Sequence, residues 1–318
     1  DFAIRCYRQA IEANPSIAEV YTNLLFTLSH SAMVDAAALF AEHCGFGEQF
    51  EAPLRDSWPQ HTNTRDPDRC LQIGFVSADL HDHAVASFIE PIWAYLAGCP
   101  SVSLHAYCNN AVEDDVTRHL RAHIKHWHTI PFLSEAELAE KILADGIDIL
   151  IDLSGHTADN RLPVFARKPA PIQATWIGTA ATTGLTAMDY RITDFELDPP
   201  GQTECYHSEQ LMRLPAQAAY RPEPGCPEVN ALPAQRCGGF TFASLNATLK
   251  INVAVIDLWS RILQTVPGSR LMLGYAESTE VRARLTERFV RNGVAEERLL
   301  FQPKLKMLEY LALHHQID

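Results

Sequence analysis

The residue types able to do chemistry stand in three short polar segments, each directly after an apolar run. The first is Ala78-Asp79-Leu80-His81-Asp82-His83, following LQIGFVS; the second is Ser154-Gly155-His156-Thr157, following IDILIDL. The third holds Asn246 and Lys250, after the run that ends at Leu245. An imidazole titrates near working pH and can take a proton from a hydroxyl as general base. A lysine facing the amino end of a helix clamps phosphate, because the ammonium and the helix dipole both favour anions. The set points to base chemistry beside a phosphate-bearing ligand. There is no Walker A motif, GxGxxG, HExxH or GxSxG, which weakens kinase, dehydrogenase, metalloprotease and hydrolase readings together.

Strands and helices must present these segments. Residues 147–153 are almost wholly apolar, interrupted only by Asp148 and Asp152. That pattern predicts a strand buried on both faces, as in a parallel sheet covered by helices on each side. Ligands bind such sheets at the carboxyl ends of the strands, where the polar segments lie. A second apolar stretch, 172–177, follows Pro169-Ala170-Pro171 and runs into the small-residue turn 178–184. The two turns, within about thirty residues, should line one cleft. Upstream, strands are expected at 71–77 and 102–108, with helices at 86–97, 115–128 and 134–145, the last capped by Ser134 with Glu137. Residues 198–201 open a long loop, and the Pro- and Ala-rich stretch 215–235 marks a boundary. A fresh alternation follows: strand 240–245, helix 253–265, strand 270–275, helix 278–292, strand 298–302, helix 305–315.

At the amino end, Phe2, Cys6, Tyr7, Ala10 and Ile11 recur at helical spacing over 1–13, and Asn14-Pro15 ends that helix. Ser16 with Glu19 reads as a capping box for a second helix bearing Val20, Leu24, Leu25 and Leu28. Ala3, Tyr7, Ala10 and Pro15, then Tyr21, Asn23 and Leu24, resemble a tetratricopeptide repeat. A third helix is expected at 36–50, then a polar, Pro-broken linker to residue 69. The expected domains are repeat-like helices 1–32, helical linker 33–69, an α/β domain 70–236 and half of another, 237–318. The 318 residues are 47% hydrophobic and 20% charged, with a net charge of −13. That balance suits a well-cored soluble chain and argues against a nucleic-acid partner, which needs a basic face. No run approaches the roughly 18 apolar residues of a membrane span. Eight cysteines without a CxxC pair read as reduced cytoplasmic thiols, several of them core packing. Asp66-Pro67-Asp68 sits in the linker and reads as a solvated loop. His119 and His123 have helical metal-ligand spacing but no third ligand in register, so no metal is expected.

LQIGFVSADLHDHAVASFIEP, IDILIDLSGHTADNRLPVFARKPAPIQATWIG, TTGLTAMDY and KINVAVIDLWSRILQTVPGSRLML together resemble the O-GlcNAc transferase family, closest to its bacterial, SPINDLY-like members. The resemblance runs from about residue 70 to the end of the chain. It implies a GT-B-like pair of doubly wound, Rossmann-like domains, the second incomplete, preceded by tetratricopeptide-type helices. The implied activity is transfer of a sugar, most often N-acetylglucosamine, from a UDP-sugar to serine or threonine hydroxyls of proteins. The resemblance implies inversion without metal, and no other cofactor is expected. Composition, charge and hydropathy lead to the expectation of a cytoplasmic protein with neither nucleic acid nor membrane as partner. His83 falls on the family's active-site histidine, and Lys250 on the lysine that offsets charge on the leaving pyrophosphate. Thr157, Ile177 and Gly178 fall on donor-lining positions, as does Asn246; His156 stands nearby as a donor contact or as a turn-stabilising partner. The family usually reads GYPGT where this chain has Gly178-Thr-Ala-Ala-Thr182, and Ala247 replaces a common polar residue. A degenerate, repeat-bearing binding scaffold is therefore the alternative. The expected second sheet stops where a fourth strand should begin, at Ile317-Asp318, so the piece is expected to be cut at both ends and inactive alone.

Overall fold

The computed structural model describes residues 2–66, 68–222 and 225–318; Asp1, Pro67, Glu223, Pro224 and the Cys237 side chain lie outside the described residues. The helix start expected at Asp1, the centre of the Asp66–Asp68 loop and part of the 215–235 stretch fall there. The chain forms two compact units, Asp1–Arg221 and Pro222–Asp318.

In the first unit, helices α1 (Phe2–Ala13), α2 (Ala18–Ser29) and α3 (Ala36–Phe50) precede a parallel α/β alternation. Its elements are β1 (Leu71–Ser77), α4 (Ala84–Leu96), β2 (Val102–Cys108), α5 (Asp115–Arg121), β3 (His126–Thr129), α6 (Glu135–Ala144) and β4 (Ile149–Asp152). Then come α7 (Leu162–Phe165), β5 (Ile172–Thr175), β6 (Tyr190–Asp194) and β7 (Gln210–Leu214). The seven strands lie in the order β3-β2-β1-β4-β5-β6-β7, and every pair is parallel. Side chains alternate between faces along each strand. Val76 and Leu150 join Ile142 of α6, Phe165 of α7, Leu25 of α2 and Phe46 of α3 in one core. Phe75 and Ile151 join Ile89 and Trp93 of α4 and Leu120 of α5 in the other. The sheet is thus covered on both sides, as its apolar strands require. Helices α2 and α3 belong to the same packed body as the sheet.

Four expectations are corrected. Ser16 caps nothing: its amide (3.1 Å) and hydroxyl (2.7 Å) both bond the Asn14 side chain, and Ile17 begins α2 without a side-chain cap. The helix expected at 115–128 ends at Arg121, and its last part is strand β3. His126-Trp127-His128 alternates instead of winding: Trp127 meets Trp93 at 6.5 Å, while His126 and His128 stack on His105 at 4.3 and 5.7 Å. Strands β6 and β7 were not expected at all, and β7 lies inside the stretch read as loop. Of the described cysteines only Cys108 is buried, so the thiols are mostly not core packing.

The second unit contains α8 (Ala234–Cys237), β8 (Thr241–Ser244), α9 (Val253–Thr265), β9 (Arg270–Leu273), α10 (Thr279–Arg291), β10 (Leu299–Phe301) and α11 (Met307–Leu313). Its three parallel strands run β10-β9-β8 around Leu263, Leu273 and Phe289. The Asp318 amide donates to Thr241 at 3.0 Å and the Thr241 amide donates back to its carboxylate at 3.1 Å, along the other edge of β8. The second unit therefore starts with the same strand order as the first.

Candidate active site

In the first unit the strand order reverses between β1 and β4. Crevices at such a switch point, outside the carboxyl ends of the strands, are where open α/β sheets bind ligands. The turn after β1 carries His83, and the turn after β4 carries Ser154 to Thr157. His83 is the N-cap of α4, its Nδ1 accepting the Val85 amide at 3.3 Å. Its ring is exposed, 3.9 Å from the Asp79 carboxylate. Burial pushes the Asp79 carboxyl up, with His83 and His81 pulling it back. The turn is further fixed by the Asp79 amide on Ser77 Oγ (2.9 Å) and the Asp82 amide on Asp114 (2.8 Å).

The second turn is built on Asp152. This buried carboxylate accepts the amides of Ser154 (3.1 Å) and Gly155 (2.8 Å) and the Thr175 hydroxyl (2.7 Å), which joins β4 to β5. Burial pushes its pKa up to about 6 against those three donors. Thr157 is half-buried and closes the turn through its hydroxyl on the Ser154 carbonyl, 3.1 Å. Ile177, after β5, has φ +47, and Gly178 donates back to the Trp176 carbonyl at 2.6 Å. A β-branched residue in the left-handed region is strained, and such strain gathers at functional sites. Gly178 lies against Ser154 so closely that a methyl group there would stand 2.3 Å from its carbonyl. Thr157, Ile177 and Gly178 are thus gathered by one contact between adjacent strand ends.

His156 points the other way. Buried to 2% exposure, it reaches the Thr183 carbonyl at 2.8 Å, with Thr22 of α2 at 3.5 Å and the rings of His43 and Phe46 of α3 at 5.0 and 4.8 Å. Burial, with His43 beside it, pushes its pKa down to about 3. This geometry is that of the turn-stabilising partner and leaves no face for a donor. The loop 178–184 is pinned from beneath: Arg191 donates to the carbonyls of Thr179 (3.0 Å) and Ala181 (3.1 Å). Glu209 accepts the Thr182 hydroxyl and the Thr183 amide, each at 2.7 Å.

In the second unit, Asn246 and Lys250 follow β8 and both are exposed. Among the described residues no side chain engages the Lys250 ammonium. Two residues on, Asn252 caps the 13-residue α9 by accepting the Val255 amide at 2.9 Å. A free cation beside a helix amino end suits a phosphate.

A model of glycosyl transferase family 41 matches residues 10–219. The chain belongs to glycosyl transferase family 41. This member is 36% identical over 276 residues to a probable UDP-N-acetylglucosamine–peptide N-acetylglucosaminyltransferase SPINDLY of Petunia hybrida, matching 83% of this chain and 28% of that protein. The counterpart in Arabidopsis thaliana is 38% identical over 243 residues, covering 74% of the chain and 26% of the relative. The family 41 chain thus spans little more than a quarter of the curated relatives it matches. A mutant of the Thermobaculum terrenum O-GlcNAc transferase superposes with a TM-score of 0.90 at 34% identity, over 99% of this chain and 60% of that one. The GT-B class expected for the fold accords with that match.

Asp152, Arg191 and Glu209, which hold the candidate site from behind, were missed among the expected site residues. Asp152 had a signal, a carboxylate at the end of an otherwise apolar strand. Arg191 and Glu209 had none, since their partners are backbone groups and threonines of a loop distant in sequence.

Proposed function

We propose that this chain carries the core of a protein O-glycosyltransferase. It moves a sugar, N-acetylglucosamine by preference, from a UDP-sugar to serine or threonine hydroxyls, with inversion and with no cofactor. The observation that carries the reading is His83 on the turn at the switch point of a family 41 sheet, beside the turns of Thr157, Ile177 and Gly178. The acceptor oxygen bonds the anomeric carbon, the bond from that carbon to the phosphate oxygen breaks, and UDP leaves with its electron pair. The hydroxyl proton passes to a base, for which His83 is the candidate. Lys250, with the amino end of α9 behind it, offsets charge growing on the pyrophosphate, and Asn246 is assigned to the donor. The repeat-like helices before the sheet suit acceptor proteins as partners. Free thiols and the absence, among described residues, of any helix long and apolar enough to cross a membrane agree with a cytoplasmic setting.

One observation favours the scaffold alternative. With Nδ1 occupied by the Val85 amide, the outward Nε2 of neutral His83 carries the proton and donates instead of accepting. The base form needs the proton moved to Nδ1, facing Asp79, and a closer approach than 3.9 Å. Full-length protein incubated with labelled UDP-N-acetylglucosamine and a protein lysate separates the readings. Transfer per folded molecule that falls about 10²–10⁴-fold in His83→Ala, with melting lowered only by the few degrees that loss of the α4 cap costs, supports the base. Peptide binding without turnover supports the scaffold.

A further inference from the structure

We propose that Glu90, His119 and His123 form a divalent-metal site of the zinc class, outside the sugar-transfer site and clamping α4 to α5. The two histidines are four residues apart, His119 in the last turn of α5 and His123 in the turn just after that helix, and the third ligand is supplied by α4. The Nε2 atoms of His119 and His123 lie 3.3 and 3.4 Å from the same carboxylate oxygen of Glu90. One ligand atom from each residue lies within 4.8 Å of the others. In a tetrahedral zinc site with bonds of about 2.0–2.2 Å, neighbouring ligand atoms are about 3.3–3.5 Å apart, so the two distances match its edges. The His123 Nε2 is also sealed from solvent without a hydrogen-bond partner, although the carboxylate oxygen is in range. A lone pair directed at a shared metal would give that atom the partner it lacks.

The rings stand nearly perpendicular, 88°, with centroids 5.3 Å apart. Glu90 and His123 are mostly covered while His119 is 65% exposed, which leaves an open fourth position for water. Imidazole nitrogens and a carboxylate suit zinc, cobalt or nickel over magnesium or calcium. Among the described residues the one opposing charge in contact is Arg221, 3.3 Å from the same Glu90 oxygen and 60% exposed, free to swing away. A second triad, His105, His128 and Asp145, is a poorer site. Its carboxylate is already held by the Tyr107 hydroxyl at 2.7 Å and the Lys141 ammonium at 3.0 Å, so a cation would face an ammonium. Glu90 stands about two turns along α4 from His83, so the metal would stiffen the helix that the candidate base caps without touching a substrate.

The test is calorimetric titration of the metal-stripped protein, its exposed cysteines alkylated, with zinc chloride alone, paired with thermal melts in zinc and in magnesium. One equivalent of zinc should bind and raise Tm, and magnesium should do neither. The double variant His119→Ala/His123→Ala should keep the metal-free Tm, lose the zinc-dependent rise and bind at least tenfold more weakly. Arg221→Ala should bind zinc more tightly, and His128→Ala should leave the titration unchanged. Zinc binding that survives the double variant, or that is lost with His128, would overturn the assignment. So would a Tm rise equal in zinc and magnesium.

Discussion

Gly178→Ala should force apart the two turns that carry Thr157, Ile177 and Gly178 in the first unit. The added methyl would lie 2.3 Å from both the carbonyl carbon and oxygen of Ser154 and 2.6 Å from the Leu153 oxygen. Comfortable contacts are about 3.5 Å, so backbone must part by about 1 Å, and no flexible side chain is there to give way. Ser154 and Gly155 cannot shift alone, because their amides are fastened to Asp152. Overpacking costs about 1–3 kcal/mol, and loosening one buried bond to a charged acceptor adds about 1.5–3 kcal/mol. A loss of about 2.5–6 kcal/mol, at about 2–4 °C per kcal/mol for a body of this size, lowers Tm by at least about 5 °C. The control is Gly45→Ala in α3, where a methyl meets nothing within 4 Å and should stabilise the helix by about 0.5–1 kcal/mol. Scanning calorimetry on both variants beside the parent reads the difference directly. A Gly178→Ala protein melting within about 2 °C of the parent would refute the close backbone contact, and with it the joint placement of Thr157, Ile177 and Gly178.

The other predictions use the same logic. Asp79→Asn should cut kcat by at least about tenfold with KM little changed, since it removes the group that would hold the Nδ1 proton of His83; an unchanged kcat means His83 works without that carboxylate. Lys250→Ala should lower kcat more than donor affinity, because phosphate charge grows toward the transition state; a rise in KM alone would reduce its role to ground-state binding. For His156, the folded pKa near 3 lies below the unfolded value of 6.5, so its stabilising contribution is whole above about pH 6.5 and lost as pH falls toward 3. Urea unfolding of His156→Gln at pH 7 and pH 5 should show a shallower acid loss than the parent, by up to about 1.4 kcal/mol per pH unit, and parallel curves would contradict the buried neutral ring.

Much of the sheet was legible because its central strands obey one rule. LQIGFVS and VSLHAYC are apolar in the main and buried on both faces toward their carboxyl ends, and β1 and β2 run over the expected residues. So do helices α3 and α9. The edge strands were not legible, because an edge strand is half wet. In β7 exposed and partly buried residues alternate, and QLMRL between loops carries too short a signal for its period to register. In β3, expected as the end of a helix, the histidines form a cross-strand stack on His105. The site divides similarly. His83, Thr157, Ile177, Gly178, Asn246 and Lys250 were named through the family resemblance, and the polar turns that hold most of them were visible at strand ends. What holds them was hidden, because Arg191 and Glu209 act on backbone groups, and no residue-type pattern records a carbonyl.

The strain at Ile177 shows why that hidden layer matters. A β-branched residue at φ +47 costs of order 1–3 kcal/mol and persists only where its surroundings over-determine it. Both flanks are held. On one side the Trp176 amide pairs with the Asp152 carbonyl at 2.9 Å and its indole donates to the Gln217 carbonyl at 2.6 Å. On the other, Gly178 abuts Ser154, and Thr179 is tied through its carbonyl to buried Arg191 at 3.0 Å. Relaxing Ile177 to an extended conformation would swing one of these flanks and break bonds made inside the core. The same loop reaches the helices: Gly184 approaches the His43 carbonyl so closely that a methyl there would stand 1.9 Å away, and Thr183 accepts from His156. Helices α2 and α3 therefore form the back wall of the candidate site, and the positions of Ile177 and Gly178 depend on them as much as on the sheet.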